Sequence, residues 1–253
     1  MTVKELYKRL EMKIPKELSE PWDNDGVMCC ADALQEVNKV ILTLDVTEEI
    51  VDHAIETCVD LIISHHPLIF RPLTSVSEAN HVGRKVIKLI ENGITVLSFH
   101  TRLDKVANGV NDKLCEILGI MDAVPFGEGD LGRVGYIPAE RLLDDFAYHV
   151  KETLDADMVL MADALNPVRR VAVVGGDGKS YVKDAIACGA DTYISGRIGY
   201  NVMEEAAEMG INLIEAGHYF TEQPILEYLR DLLISYDPSL SIEIASSNQI
   251  RKI

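Results

Sequence analysis

Cys58-Val59-Asp60-Leu61-Ile62-Ile63-Ser64-His65-His66-Pro67 is an apolar run closed by two histidines and stopped by a proline. The run reads as a buried strand, and Pro67, with no backbone N–H to give, bends the chain at the strand exit. Ahead of it, Val40-Ile41-Leu42-Thr43-Leu44-Asp45 reads as another strand. Thr47 then suits the cap of a helix carrying Ile50, Val51, Ala54 and Ile55 at helical spacing. Beyond the histidines come a helical segment around Val86 to Ile90, a stop at Asn92-Gly93, and a strand from Ile94 to Phe99 that arrives at His100. β-branched strands alternating with helical periods predict an α/β protein of largely parallel strands.

The second half repeats the plan. Val171-Ala172-Val173-Val174-Gly175-Gly176 mirrors the first strand, and Cys188-Gly189-Ala190-Asp191-Thr192-Tyr193-Ile194-Ser195 mirrors Cys58 to Ser64 with one extra residue. Gly210-Ile211-Asn212-Leu213-Ile214 answers Gly93-Ile94-Thr95-Val96-Leu97, and this copy arrives at His218. Two related βα lobes from an internal duplication are the simplest reading, against a chance likeness of two ordinary βαβ units. We expect a first lobe over 1–126, a connecting strand and helix over 127–166, and a second lobe over 167–253, with a metal site between the lobes. In the connecting element, Gly132 to Pro138 reads as a strand. Glu140 to Leu154 reads as a helix with Leu142, Leu143, Phe146 and Val150 inward.

Composition narrows the functional classes. The 253 residues are 47% hydrophobic, enough for a large aliphatic core, and the formal charge of −17 argues against a nucleic-acid partner, which needs a basic patch. No apolar stretch nears the ~20 residues of a membrane span, and Met1-Thr2-Val3-Lys4-Glu5 opens an amphipathic pattern without a signal-peptide core, so a cytoplasmic protein is expected. Five cysteines without Cys-x-x-Cys suggest neither a disulfide framework nor a zinc ribbon, and Cys58 and Cys188 read as buried apolar residues.

Strand C-termini in α/β sheets converge on one edge, where sites form, so His65, His66, His100 and His218 are expected on one side if the lobes share polarity. Asp104 follows His100 by four residues, and Glu222 follows His218 by four. Alone, Asp104 reads as a turn-former and Glu222 as a first-turn acid, with Thr221 capping a helix from Glu222 to Leu233 and Pro224 in its first turn. Together with strand-end histidines they suit Zn, Mn, Fe or Ni, and their number favours two divalent ions over one. Gly175-Gly176-Asp177-Gly178-Lys179-Ser180 fits neither a Walker nor a dinucleotide spacing; it reads as an anion cradle or a tight strand-to-helix turn. Trp22, the single tryptophan, reads as a satellite hydrophobic contact or a stacking wall. His149 falls in a helical pattern, and His53 and His81 have no acidic companions in a similar setting.

Ser64-His65-His66-Pro67, His100-Thr101-x-Leu103-Asp104 and Gly217-His218-Tyr219-x-Thr221-Glu222 resemble the Nif-three-like family of dinuclear metal proteins, whose bacterial members are labelled GTP cyclohydrolase 1 type 2 homologs. The resemblance implies His65, His66, Asp104, His218 and Glu222 as metal ligands with Glu222 bridging, and His100 as a neighbour. It also implies a homohexameric ring, in the short form that lacks an inserted domain. Family members often carry an acidic residue and a histidine where this chain has Ser195-Gly196-Arg197-Ile198-Gly199-Tyr200-Asn201. Arg102 and Asp25 also depart from the pattern. The expected function is a dinuclear metal-dependent hydrolase acting on a small anionic substrate such as a purine nucleotide. Glu222 and His100 would serve catalysis, and Arg102 and Arg197 would hold substrate. A two-metal phosphoesterase and a non-catalytic metal-binding ring or adaptor are the alternatives.

Overall fold

The structure is a computed structural model, and it describes residues 1–250. In chain order the helices and strands are α1 (Val3–Lys13), β1 (Gly26–Cys29), β2 (Lys39–Thr43), α2 (Glu48–Glu56), β3 (Leu61–Ser64), α3 (His81–Glu91), β4 (Thr95–Ser98) and α4 (Thr101–Lys105). There follow α5 (Val110–Leu118), β5 (Met121–Phe126), β6 (Gly132–Arg141), α6 (Leu143–Thr153), β7 (Leu160–Ala162), β8 (Val168–Asp177) and α7 (Val182–Ala187). The chain ends with β9 (Thr192–Arg197), α8 (Tyr200–Glu204), α9 (Ala206–Met209), β10 (Asn212–Glu215), α10 (His218–Glu222), α11 (Ile225–Tyr236) and β11 (Ser241–Ile244). Local chemistry sets the helix starts. Thr2 and Glu5 exchange side-chain and backbone bonds at the head of α1, Thr47 Oγ1 accepts from Ile50 N at 3.2 Å, and Asn80 caps α3.

Two compact units result, one of Met1–Val106 with Leu226–Ile253, the other of Ala107–Ile225. The first holds a sheet ordered β1-β4-β3-β2-β11, the second a sheet ordered β5-β6-β8-β9-β10-β7. In the first, β11, β2, β3 and β4 run parallel and β1 runs antiparallel to β4. In the second, β8, β9 and β10 are parallel, with β7 antiparallel to β10 and β6 antiparallel to β8. The orders β1-β4-β3-β2 and β7-β10-β9-β8 therefore correspond strand for strand, and the registers Val40–Leu61–Thr95 and Val171–Thr192–Asn212 occupy the same places. That is the duplicated α/β plan anticipated from the sequence.

The unit boundaries differ from those expected at 126 and 166. The segment 127–166 connects nothing across a gap: β6 pairs with β8 and becomes part of the second sheet. The last residues return to the first unit, because β11 adds to β2 from Ser241–Lys39 to Ile244–Leu42. Both pairings are non-local, and period-2 patterning does not say which sheet a strand joins.

Alternation within the strands explains the cores. On β8, Val171 and Val173 pack with Phe146, Val150, Ile194 and Ile214, whereas Ala172 and Val174 pack with Val134, Tyr193 and Leu213. The second sheet is thus covered on both faces, as parallel strands require. In the first unit, Ile41, Ile62 and Val96 meet Val51, Ala54 and Leu89 of α2 and α3. The inner face read for α6 holds at Leu143, Phe146 and Val150, but Leu142 precedes the helix and is exposed. Cys58 also departs from expectation. It lies just beyond α2 at φ 53° and is exposed, while Cys188 is half-buried. No described helix is long and apolar enough to cross a membrane.

Candidate metal centre

In the first unit, Ser64 ends β3, and the next two residues leave the sheet still tied to β2: His65 N donates to Thr43 O at 3.1 Å and His66 N to Leu44 O at 2.9 Å. Pro67 follows and stops the ladder. Phe99 N donates to Ser64 O at 2.9 Å, which sets the exit of β4 beside that of β3 and brings His100 alongside. Ring centroids of His65 and His66 are 4.9 Å apart, with His100 at 5.3 Å from His65 and 5.6 Å from His66. One ring nitrogen from each of the three lies within 4.8 Å of the others.

Each Nδ1 faces an oxygen acceptor. That of His65 meets Phe99 O, that of His66 meets Asp45 Oδ1 and that of His100 meets Asp23 Oδ1, all at 2.9 Å. With a carbonyl or carboxylate accepting at Nδ1, the neutral imidazole carries its proton there and its lone pair on Nε2, the arrangement of a metal-ligating histidine with an outer partner. Asp104, one turn along α4, brings Oδ1 to 3.6 Å from His65 Nε2. The donor set of imidazoles and a carboxylate at fixed strand exits therefore fits a divalent transition ion.

Asp23 and Asp45 were not anticipated as part of the site. Asp23 is enclosed: Oδ2 accepts from Thr101 N at 3.0 Å and from Thr101 Oγ1 at 2.6 Å, while Oδ1 holds His100. Burial pushes its carboxyl up, but the His100 and Thr101 contacts outweigh it and hold the pKa at about 2. The sequence clue for Asp45 was its position at the end of the first strand, where acids can face the strand-exit histidines.

Arg102 is corrected by its surroundings. The expectation that it holds substrate fails because its side chain is fully buried. Its Nε donates to Asp25 Oδ2 at 3.0 Å, its Nη1 to Glu11 Oε1 and to Ile14 O, and its guanidinium lies 4.4 Å from the Phe99 ring centroid. Asp25 is its counter-charge and also accepts from His100 N at 3.2 Å. Arg102 and Asp25 thus form a buried pair next to His100. His53, on α2, has its Nε2 2.9 Å from Glu243 Oε1 of β11, a surface pair outside the strand-exit setting. His81 opens α3, and His149 sits on α6 with Nε2 3.3 Å from Leu118 O.

In the second unit, His218 opens α10 and Glu222 ends it, with His218 Nε2 3.2 Å from Glu222 Oε2. Glu222 is almost fully buried and His218 half-exposed. The expected single helix from Glu222 is two helices, α10 and α11, with Pro224 between them; Glu222 is the last residue of the first and gains nothing from a helix N-terminus. Thr221 is no cap to a following helix. It accepts from Gly176 N at 3.1 Å and donates to His218 O at 2.9 Å, tying α10 to β8.

The Gly-Gly run is likewise reassigned. Gly175 N donates to Asn111 Oδ1, Gly176 N to Thr221 Oγ1 and Gly178 N to Arg197 O, so these donors are spent and form no anion cradle. Gly176 is needed for room. At φ +67°, a β-carbon there would overlap Glu222 Oε1 and stand 3.2 Å from His218 Nε2. Arg197 ends β9 exposed.

A model of the Duf34/NIF3 (NGG1p interacting factor 3) family matches residues 1–252. The chain belongs to the DUF34/NIF3 family. Among curated relatives, the GTP cyclohydrolase 1 type 2 homolog of Clostridium perfringens is 36% identical over 233 residues, covering 89% of this chain and 88% of that protein. The Streptococcus pneumoniae protein of the same name is 34% identical over 258 residues, covering 98% and 96%. The crystal structure of Staphylococcus aureus protein SA1388 is similar at a TM-score of 0.89 with 27% identity, covering 100% of this chain and 99% of that one. Reduced HcgD from Methanocaldococcus jannaschii is similar at 0.84 with 29% identity, covering 96% of each. The match thus reaches well beyond the three short motifs, over residues 1–252.

Proposed function

We propose that this DUF34/NIF3 protein is a dinuclear metal-dependent hydrolase acting on a small anionic substrate, with a purine nucleotide as the first candidate. Its ligands would be His65, His66 and Asp104 from the first unit and His218 and Glu222 from the second, Glu222 bridging the ions as the sequence resemblance implies. The observation that carries the reading is the pair His65 and His66 at one strand exit, whose Nδ1 atoms are both engaged by oxygen acceptors at 2.9 Å, which directs the remaining nitrogens to a ligand. Zn, Mn, Fe or Ni ions there would supply Lewis acidity and acidify water toward a pKa of about 7.

The protein's own groups would do the rest. His100, backed by Asp23, is a histidine–carboxylate pair of the kind that accepts and returns a proton, and we assign it as the general acid–base group. Glu222 lies against Gly176, whose lack of a β-carbon leaves room for its carboxylate beside His218. Arg197, exposed at the end of β9, would share in holding the negative charge of the substrate. The name shared by the curated relatives, GTP cyclohydrolase 1 type 2 homolog, supports a guanine nucleotide. A cytoplasmic homohexamer completes the proposal, and sedimentation of the metal-loaded protein tests the assembly.

The activity test compares wild type with Glu222→Gln on a panel of nucleotides and phosphoesters after metal loading. Turnover by wild type that the variant loses is expected, and the panel member consumed separates ring hydrolysis from phosphoesterase action. If wild type turns over nothing that the variant fails to turn over, the hydrolase reading is replaced by that of a metal-binding ring or adaptor.

A further inference from the structure

Trp22 and Phe70 are large aromatic side chains left 61% and 41% exposed, an unusual outlay of apolar surface for two loop residues. They are not scattered. The Trp22 ring lies 6.1 Å from that of Phe70 at an interplanar angle of 74°, and 6.2 Å from the His100 ring at 78°. Phe70 and His100 are 6.0 Å apart at 88°. His100 in turn stands 5.3 and 5.6 Å from His65 and His66, so a continuous series of rings runs from the surface to the histidine cluster.

The loops that carry these rings are fastened. Asn24 Nδ2 donates to Ile69 O, joining the Trp22 loop to the Phe70 loop, and Asp23, next to Trp22, is held by both His100 and Thr101. Both rings keep solvent-exposed surface, and a pre-positioned aromatic group gives stacking at little ordering cost. Arg71 places its guanidinium over the Phe70 ring, 5.6 Å from its centroid, a cation beside the wall.

We propose that Trp22 and Phe70 form a stacking wall that receives a flat heteroaromatic ring at the His65–His66–His100 cluster, with Arg71 meeting an anionic group on the same ligand. The inference deepens the hydrolase reading and rests on it for the identity of the site. It gives the substrate class a structural basis: a planar ring with a negative charge, presented beside the acid–base histidine. Trp22 and Phe70 are binding residues, and Arg71 is a specificity residue for the charge.

Because Trp22 is the single tryptophan of the chain, its fluorescence reports on the wall directly. The full-length metal-loaded protein is titrated with guanosine monophosphate, with nicotinate and with ribose 5-phosphate, and bound ions are counted in the same samples. Saturable quenching by one or both ring compounds is expected, with none by ribose 5-phosphate. Phe70→Leu should weaken the quenching ligand about tenfold, the loss of one stacking partner, without changing ion content or melting temperature. Trp22→Leu, followed by calorimetry, should weaken it to a similar degree. Arg71→Gln should weaken guanosine monophosphate more than guanosine, titrated alongside it as the uncharged control. Ions bound with no quenching by either ring compound overturns the wall and leaves the dinuclear reading standing. Quenching without bound ions supports the wall and overturns the dinuclear reading.

Discussion

Replacing Gly176 by alanine separates two costs that glycine substitutions usually confound. Gly176 has φ +67°, a left-handed conformation that an L side chain occupies at a cost of about 1–2 kcal/mol. Gly210, in the same unit, has φ +70°, but a β-carbon there would meet nothing within 4 Å. Gly210→Ala therefore measures the backbone strain alone. Gly176→Ala carries the same strain and also drives a methyl group into Glu222 Oε1, whose nearly buried carboxylate must turn away from His218. Overpacking of this kind adds about 1–3 kcal/mol. Urea unfolding should thus show Gly210→Ala destabilised by about 1–2 kcal/mol and Gly176→Ala by about 2–5 kcal/mol. The sharper readout is metal affinity by competition with a chelator. Displacing a ligand's support typically costs about 10–100-fold, so Gly176→Ala should lose that much, with Gly210→Ala unchanged. Equal metal affinity in the two variants would refute the claim that Gly176 exists to admit Glu222.

Three further outcomes follow from the geometry. Asp45→Asn removes the charged acceptor at His66 Nδ1 and should weaken ion binding about tenfold or more with little change in melting temperature; wild-type affinity would remove Asp45 from the site. Arg102→Met takes the guanidinium from buried Asp25, which keeps Lys16 as a counter-charge, and should cost about 1–3 kcal/mol in denaturant unfolding, whereas an unchanged stability would return Arg102 to the candidates for substrate binding. Burial pushes the Cys29 thiol up to about 11 and the Cys115 thiol up to about 12, so in the native protein at neutral pH a thiol reagent should label exposed Cys58 first and reach Cys29 and Cys115 only on unfolding. These raised thiols also contribute stability that is present below the ordinary thiol pKa of 9.0 and lost as pH climbs toward 11 and 12; a flat stability profile across that window would contradict their burial.

The parallel core of each sheet was readable because its strands are short β-branched runs with turn signals between them, and the duplicated order of β2-β3-β4 and β8-β9-β10 follows from matching those runs. The candidate ligands were readable for the same reason: histidines directly after strand runs must appear at the sheet edge. What escaped the sequence depends on contacts between distant positions. The pairing of β11 with β2 and the salt link of Arg102 to Asp25 and Glu11 join residues about 77 to 200 positions apart, and no local pattern announces either. Thr221 misled because a threonine before an acid and a proline imitates a helix start, while its hydroxyl is engaged by β8 and its own turn. Gly176 misled in a similar way: adjacent glycines suggest a phosphate loop, but here they allow a carboxylate to approach the backbone.

The proposed function rests on Glu222 serving the same ions as His65 and His66, as the sequence resemblance implies. Equilibrium dialysis of wild type and Glu222→Gln against a divalent ion, with bound metal counted per chain, tests it most directly. The account predicts two ions per chain in the wild type and a clear loss of occupancy in the variant, although Glu222 lies far in sequence from His65 and His66. Full occupancy in the variant, or no bound ion in the wild type, would contradict it.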